Sequence, residues 1–522
     1  MKNILILFVV LFIFGCDSDD SSPATIGPVN PNQEDTQPPS ISIPRGSDII
    51  EVLTDLNFSV SDASDMIETV LTLDGTQVLE TTDTAFSFQI DPFDFDDGEK
   101  TLVITAEDEA GNQAEAQLVF TTQKLLFSAS DFRGQLSTAE KRIFIALNTL
   151  TGETITHREL TSATDGIFYA EDGFARQNII ATVFEISTSR PQISSYTDVP
   201  AGTIVPSFAG ASAQFNTPPN NFGEFSFTVT DDAMAGGFDG FNLTLQSHTY
   251  RNFGGSGDNN MFTLNCGYGL DIPAEDIFIY FKNPFDNAPD DYRYLLLESN
   301  DFSDKTANLS EFSQDWDRSS VELPSGIIGY SFFLRGFTDE AAYTSNEYDE
   351  YYRVFYSTDV PATPIEFPEI DLFPIVQQRL TLQVDATTEV RASVRGTGTF
   401  TLPGWTITRT DDMISTDADY DSFTFLNSIQ EDMMLPRLFW YVYGDATEMT
   451  TIPYESITVP EAITTVLDGE GYDVSLFTND SDALFFILND NEMEAPYLER
   501  IFYEYTGNEK GDRIESFFEL NP

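Results

Sequence analysis

Asp97-Gly-Glu-Lys-Thr-Leu-Val-Ile-Thr-Ala-Glu-Asp-Glu-Ala-Gly-Asn112 carries Leu102, Ile104 and Ala106 at alternate positions. Successive side chains of a strand point to opposite faces, so these three belong to one buried side. Beyond the Ala110-Gly-Asn112 turn the same period resumes with Ala116, Leu118 and Phe120. Upstream it appears in Ile41 and Ile43, in Leu56, Phe58 and Val60, and in Leu71 and Leu73, which end at the turn pair Asp74-Gly75. Phe86, Phe88 and Ile90 complete the series. Alternation with turn signals every 8–12 residues or so is the pattern of an antiparallel sandwich.

Three stretches in order carry a resemblance: Pro38-Pro39-Ser-Ile-Ser-Ile43, Phe58-Ser-Val-Ser-Asp-Ala-Ser-Asp65 and the opening 97–112 segment. Together they are similar to bacterial Ig-like modules. The resemblance implies an Ig-like β-sandwich over 38–122 that serves as a spacer or adhesive unit, and it speaks to fold more than to function. The segment holds no cysteine, so it is expected to fold without a disulfide.

At the N-terminus, Lys2 precedes the unbroken apolar run Ile4–Phe14. A basic end and a core of about 7–15 apolar residues make a secretion signal. The run is too short for a permanent membrane helix, which needs about 20 residues. Ile13-Phe14-Gly15-Cys16 resembles the lipobox of bacterial lipoproteins, with Phe14 bulkier than usual. That resemblance implies cleavage after residue 15 and acylation of Cys16. Stable anchoring needs more than one chain, at about 0.8 kcal/mol per buried CH₂. Asp17-Ser18-Asp19-Asp20 then looks like the acidic signal, formed by Asp17, Asp19 and Asp20, that sends Bacteroidota lipoproteins to the outer face of the outer membrane. In other Gram-negative groups an Asp after the lipidated Cys resembles an inner-membrane retention signal, and a plain acidic linker is the third reading. The chain is thus expected to be a Bacteroidota-type surface lipoprotein, held to the outer membrane by its lipid.

Composition narrows the partners. Against 25 basic residues stand 86 acidic ones, a net charge of −61. Such a field repels phosphate backbones, so nucleic acid is not an expected partner. Hydrophobic residues make up 41% and aromatics 13%, enough material for cores rather than for disorder. With Cys16 acylated, Cys266 has no partner for a disulfide. It shares a strand face with Phe262 and Leu264, which suits a core thiol.

Residues 16–37 read as the lipidated Cys and a polar, acidic tether. From about 123 the chain continues as β, with few helices expected because no segment keeps a helical period. The part over 123–210 weakly resembles the small transthyretin-like or carboxypeptidase-regulatory sandwiches of surface proteins. Tyr196-Thr-Asp-Val-Pro-Ala201 is echoed by Ser357-Thr-Asp-Val-Pro-Ala362, and Val354-Phe-Tyr356 with Ile365 and Ile370 by Tyr441-Val-Tyr443 with Ile452 and Ile457. These echoes suggest further β-rich domains over 211–374 and 375–522. The fold class expected is all-β, as tandem antiparallel sandwiches.

Catalytic motifs are missing. His157 and His248 are the only imidazoles, and Gly254-Gly-Ser-Gly-Asp258 begins like a nucleophile elbow but lacks its last Gly, so it reads as a flexible hairpin loop. Zinc spacing is absent. A glycosidase needs two carboxylates about 5–10 Å apart, a condition that 86 acids meet by chance. No catalytic residue is assigned, and an unrecognised hydrolase is the second alternative.

Calcium is the candidate cofactor, though none is required. Asp417-Ala-Asp-Tyr-Asp421 alternates Asp417, Asp419 and Asp421 like the opening of an EF-hand, but Ser422 and Ser428 stand where that loop needs Gly and Glu. Asp94, Asp96 and Asp97 form a second acidic turn. For ligand binding, Trp316 between Asp315 and Asp317 is the leading exposed ring, and Tyr348 among Glu347, Asp349 and Glu350 is next, with Tyr351 and Tyr352 nearby. Trp405 and Trp440 lie in apolar runs and are expected in cores. The function expected is non-catalytic binding of an extracellular glycan, with adhesion or assembly with an envelope protein as the alternative.

Overall fold

The computed structural model describes residues 35–519 apart from 44–48, 63–65, 131–134, 172, 190, 206–221, 231–241, 245–249, 259–260, 270–274, 283–288, 301–303, 346, 362–363, 406, 411–412, 417–419, 431–433, 446–456, 478–484 and 492–512. The protein is all-β, built of antiparallel sandwiches. Its two helices among the described residues are short: α1, Glu340–Ser345, and α2, Glu461–Gly469. No helix among the described residues is long and apolar enough to cross a membrane. Two compact units divide the chain, one running to Ile90 and including Gly98–Thr122, the other made of Asp91–Asp97 and everything from Gln123.

The first unit is made of two β-sheets. One sheet has the order Ser40–Ser42, Thr54–Ser61, Ala85–Ile90, and the other the order Ile49–Ile50, Gln113–Thr122, Gly98–Asp108, Met66–Leu73, Thr76–Thr81. Period-two patterning becomes burial directly: Leu56, Phe58, Val60, Leu102, Ile104 and Ala106 are all within 3% of full burial. Asp74 and Gly75 both take left-handed φ, 49° and 79°. That is the two-residue turn whose twist matches a tight hairpin, and Gly75 adopts it without a Cβ penalty.

The second unit is organised by a twelve-stranded sheet. Its order is Thr154–Glu159, Lys141–Thr149, Ile179–Ser187, Gln192–Val199, Leu438–Asp445, Ser422–Ile429, Phe485–Asn491, Arg513–Glu519, Thr388–Arg395, Ile375–Gln383, Gly329–Phe337, Asp349–Ser357. All pairs are antiparallel except Gln192–Val199 with Leu438–Asp445, which run parallel. The one sheet therefore joins strands from either side of the positions near 210 and 374 at which the sequence suggests divisions.

One face of this sheet is apolar along its length. Phe144, Phe184, Ile193, Phe425, Trp440 and Phe486 pack there with Ile463 and Leu467 of α2. Farther along, Phe332, Leu334, Leu380, Leu382 and Val390 meet Phe278 and Tyr280 of the strand Glu275–Lys282. That strand serves two cores at once, since its alternate residues Ile277, Ile279 and Phe281 join Phe225, Phe227 and Val229. The opposite face is covered only in part. A small sheet of Ile167–Tyr169, Leu125–Ala129 and Thr203–Val205 brings Phe127, Phe168 and Val205 against Ile143, Ile145, Val183 and Tyr196.

Gly254-Gly-Ser-Gly-Asp258 is not the loop its composition suggests. It forms the end of the strand Tyr250–Asp258, paired with Met261–Gly269, with a register shift between Asn252 and Gly254. Glycine weakens a strand without forbidding one and often accompanies such an irregularity.

Candidate ligand-binding face

The strand Leu438–Asp445 has an unusual composition, with rings on both of its sides. Leu438, Trp440 and Val442 point into the apolar core, each no more than 2% exposed. Phe439, Tyr441 and Tyr443 point the other way and are half-buried. Their neighbours in register are mixed: Gln192 and Ser428 flank Phe439, Ser194 and the apolar Leu426 flank Tyr441, and the core residue Tyr196 and Thr424 flank Tyr443.

The outward rings form an ordered row. Phe439 and Tyr441 have centroids 6.2 Å apart, and Tyr441 and Tyr443 are 6.0 Å apart with planes only 8° from parallel. Tyr196 extends the row at 5.2 Å from Tyr443, where the small covering sheet begins. Tyr441 and Tyr443 are thus an offset stacked pair, and both remain only half-buried. The backbone beneath is held by Thr197, whose hydroxyl donates to the Tyr443 carbonyl at 3.0 Å. Gln192 Nε2 donates to Ser194 Oγ at 3.0 Å, and Arg437 Nη1 to Ser428 Oγ at 3.1 Å, placing polar groups along both flanks. Near the end of the row, burial and then the charge of Asp445 raise the phenol pKa of Tyr420.

The residues singled out in the sequence are distributed differently. Trp316 is half-buried: its indole N–H donates to the Tyr292 carbonyl at 3.2 Å, and its ring meets Tyr292 edge-on at 6.1 Å. It packs against the core around Phe332 and so differs from an exposed platform. Its polar neighbours remain outside while the backbone, paired at Tyr294 and Ser313, folds the indole inward. Tyr348 is also half-buried, with the Arg335 guanidinium 3.9 Å from its ring centre. Tyr351 and Tyr352 are core residues, at 1% and 0% exposure. Trp440 lies in the core as expected, and Trp405 packs partly buried against the same cluster.

Cys16, Asp17, Asp19, Asp20, Asp417, Asp419 and His248 lie outside the described residues. Asp421 is half-buried. Cys266 belongs to the strand Met261–Gly269, but its side chain is outside the described set. His157 is exposed on the edge strand Thr154–Glu159. Of the turn acids, Asp97 approaches Lys124 at 4.0 Å, while Asp94 and Asp96 are exposed.

A different trio of acids meets in the first unit. The carboxylates of Asp35, Asp62 and Asp108 lie within 4.8 Å of one another, oxygen ligands of the type a hard divalent cation takes. Asp108 is fully buried and accepts from the Asn112 backbone N–H at 2.8 Å and from its side-chain amide at 2.9 Å. The same Asn112 amide donates to the Asp35 carbonyl. No local motif announces this convergence, because the three residues come from distant parts of the chain.

No family model matches this chain, and no curated protein matches it in sequence. Among solved structures it is similar to fibronectin(III)-like modules of Clostridium thermocellum CbhA, at 12% identity over 31% of this chain and 94% of that one, with a TM-score of 0.15. A second is SGBP-B of the Bacteroides ovatus mixed-linkage glucan utilization locus, in complex with a mixed-linkage heptasaccharide: 11% identity, 64% and 97% coverage, TM-score 0.14. A Ca2+-stabilized, ice-binding adhesin of an Antarctic bacterium matches at 11% identity over 70% and 100% of the two chains, with a TM-score of 0.14. At these TM-scores the likenesses carry no argument about what this chain binds.

Proposed function

We propose that this chain is a surface-anchored, non-catalytic polysaccharide-binding protein. The observation that carries this reading is the outward row Phe439, Tyr441 and Tyr443, half-buried, with Gln192, Ser194, Thr424 and Ser428 among its cross-strand neighbours. Sugar rings have apolar C–H faces and hydroxyl rims. An array of rings with Ser, Thr and Gln beside it meets both demands, whereas a closed core would leave no such row facing out. Alternate residues of a strand repeat every 6.7 Å or so, which suits successive contacts along an extended polymer.

Binding to a panel of neutral polysaccharides is the test. Tyr441→Ala should weaken the best ligand about tenfold, the equivalent of losing one aromatic contact of about 1.4 kcal/mol, while the variant stays folded with only about 1 kcal/mol less stability. Undiminished affinity in the variant, or attachment to cells or envelope proteins without any glycan binding, would turn the reading toward adhesion or assembly. Anchoring is tested separately. Cys16→Ser should abolish partition into a detergent-rich phase, and Ala at Asp17, Asp19 and Asp20 should protect the protein from protease added to intact cells.

A further inference from the structure

One end of the first unit gathers three separate stretches of chain. Asp35 precedes the strand Ser40–Ser42, Asp62 follows Thr54–Ser61, and Asp108 closes Gly98–Asp108. Ser40–Ser42 and Thr54–Ser61 are antiparallel, so the chain enters at the end where Asp62 leaves. Met66, which opens the next strand, pairs with Asp108 and sets the third acid at that same end. Alternation decides the facing. Asp62 keeps the parity of the buried Phe58 and Val60, and Asp108 that of the buried Ile104 and Ala106. Asn112 then donates to both the Asp108 carboxylate and the Asp35 carbonyl, which pins the entering segment against the turn.

Beneath these acids lies a buried hydroxyl. Thr69 is 1% exposed, and its Oγ1 has no hydrogen-bond partner among the described residues. It pairs with Ala106 on the inner face, one diagonal step from Asp108 across the two strands, a separation of about 7–8 Å or less between side chains. Buried hydroxyls are ordinarily hydrogen-bonded. The next pair toward the middle, Leu71 and Ile104, is apolar, so a ligand held between the acids is the polar neighbour this hydroxyl can take.

We propose that this end of the unit binds one calcium ion through Asp35, Asp62 and Asp108, with a water on the ion reaching the Thr69 hydroxyl. Ligand oxygens grouped within 4.8 Å of one another match a calcium shell, whose bonds of about 2.3–2.6 Å place opposite ligands about 5 Å apart. Magnesium dehydrates reluctantly and takes one or two carboxylates with several waters, whereas three protein carboxylates from three segments suit the flexible calcium shell. The Asn112 bonds and coordination coexist, since an ionised carboxylate offers about four lone-pair sites. The ion ties the point of entry to the turn and to the crossover between the two sheets. It thereby stiffens the place where the polar stretch 16–37 meets the fold.

The test titrates calcium chloride and magnesium chloride into the full chain at about 0.15 M salt, where a screening length of about 8 Å weakens diffuse accumulation by a chain of net charge −61. Amide exchange of residues 66–70 and 108–112 should slow as calcium saturates, and magnesium should need at least tenfold higher concentration. Asp62→Asn should raise the calcium concentration required at least tenfold. Thr69→Val removes only the hydroxyl: without calcium it should be no less stable than the parent, and it should need severalfold more calcium to saturate. Calcium that slows exchange only elsewhere would be diffuse accumulation on the acidic surface and would overturn the proposal. So would magnesium acting at the same concentration as calcium, or an unchanged calcium titration in either variant. Should Asp62→Asn fail to fold, Thr69→Val alone decides.

Discussion

The two ends of the twelve-stranded sheet share an inner face and differ on the outer one. Beneath both, the inner side is mainly Phe, Leu, Ile and Val, with Trp440, a few Tyr and buried polar residues such as Ser195, Asn427 and Gln378 among them. Outside, at Leu438–Asp445, rings lie beside rings, and their neighbours include Ser, Thr and Gln besides Leu426 and Tyr196. At Gly329–Phe337 and Thr388–Arg395 the rings lie beneath guanidiniums. One scaffold thus supplies two chemistries, because the side chains of alternate positions are independent of the core that fixes the backbone.

The sharpest way to break that distinction is to truncate each side of one strand. Trp440→Ala should cost about 3–5 kcal/mol in denaturant unfolding, since it empties the core and removes the indole bond to Ser195 Oγ at 2.9 Å. Tyr441→Ala, one residue away, should cost about 1 kcal/mol because the ring is only half-buried. Equal costs would mean that the outward row is core after all.

Glycines at matching places should behave alike at both ends. A Cβ on Gly336 would collide with the Phe373 ring, and one on Gly444 with the Phe423 ring. Gly336→Ala and Gly444→Ala should each lose about 1–3 kcal/mol by overpacking. Clearly different losses would show that one end yields where the other does not.

Smallest are the pH effects, and here the ends should differ in sign. The hydrogen bond from Arg142 holds the Glu159 carboxyl below its usual range. Its contribution is present above the ordinary carboxylate pKa and disappears as pH falls through the lower folded value. At the other end, burial raises Glu350, against the opposing pull of Arg353, Arg335 and Arg379. Its contribution is greatest below the ordinary carboxylate pKa and is lost as pH rises through the folded one. Glu159→Gln should flatten the acid limb of stability against pH, and Glu350→Gln should remove a decline on raising pH. Parallel responses of the two variants would contradict the assignment.

How far such features can be read from sequence depended on whether neighbours along the chain decide them. The first unit was legible since each strand alternates strictly and Asp74-Gly75 marks its own turn. In Phe439-Trp-Tyr-Val-Tyr443 the period is hidden, because rings occupy both faces and no polar residue separates inside from outside. The signal was there in the parity of Trp440 against Tyr441, once the strand was taken to be covered on one side. Trp316 misleads for the opposite reason: Asp315 and Asp317 mark a polar segment, yet the indole finds its acceptor at Tyr292, 24 residues away. The trio Asp35, Asp62 and Asp108 and the guanidinium-covered rings are likewise products of strand pairing, which no window of sequence contains.

The parallel seam between Gln192–Val199 and Leu438–Asp445 has a temporal consequence. Trp440 and Ser195 meet across 245 residues of chain. As the polypeptide emerges, the N-terminal strands can form hairpins with one another, but the edge at Gln192–Val199 stays unpaired until the C-terminal strands arrive. Contacts of such long separation are slow to form, because loop closure must precede them. An open edge beside Tyr196 and Ile193 is meanwhile a template for wrong pairing. Nascent chains stalled before residue 438 should therefore be aggregation-prone, and holding this segment apart during synthesis is work for a chaperone rather than for the fold itself.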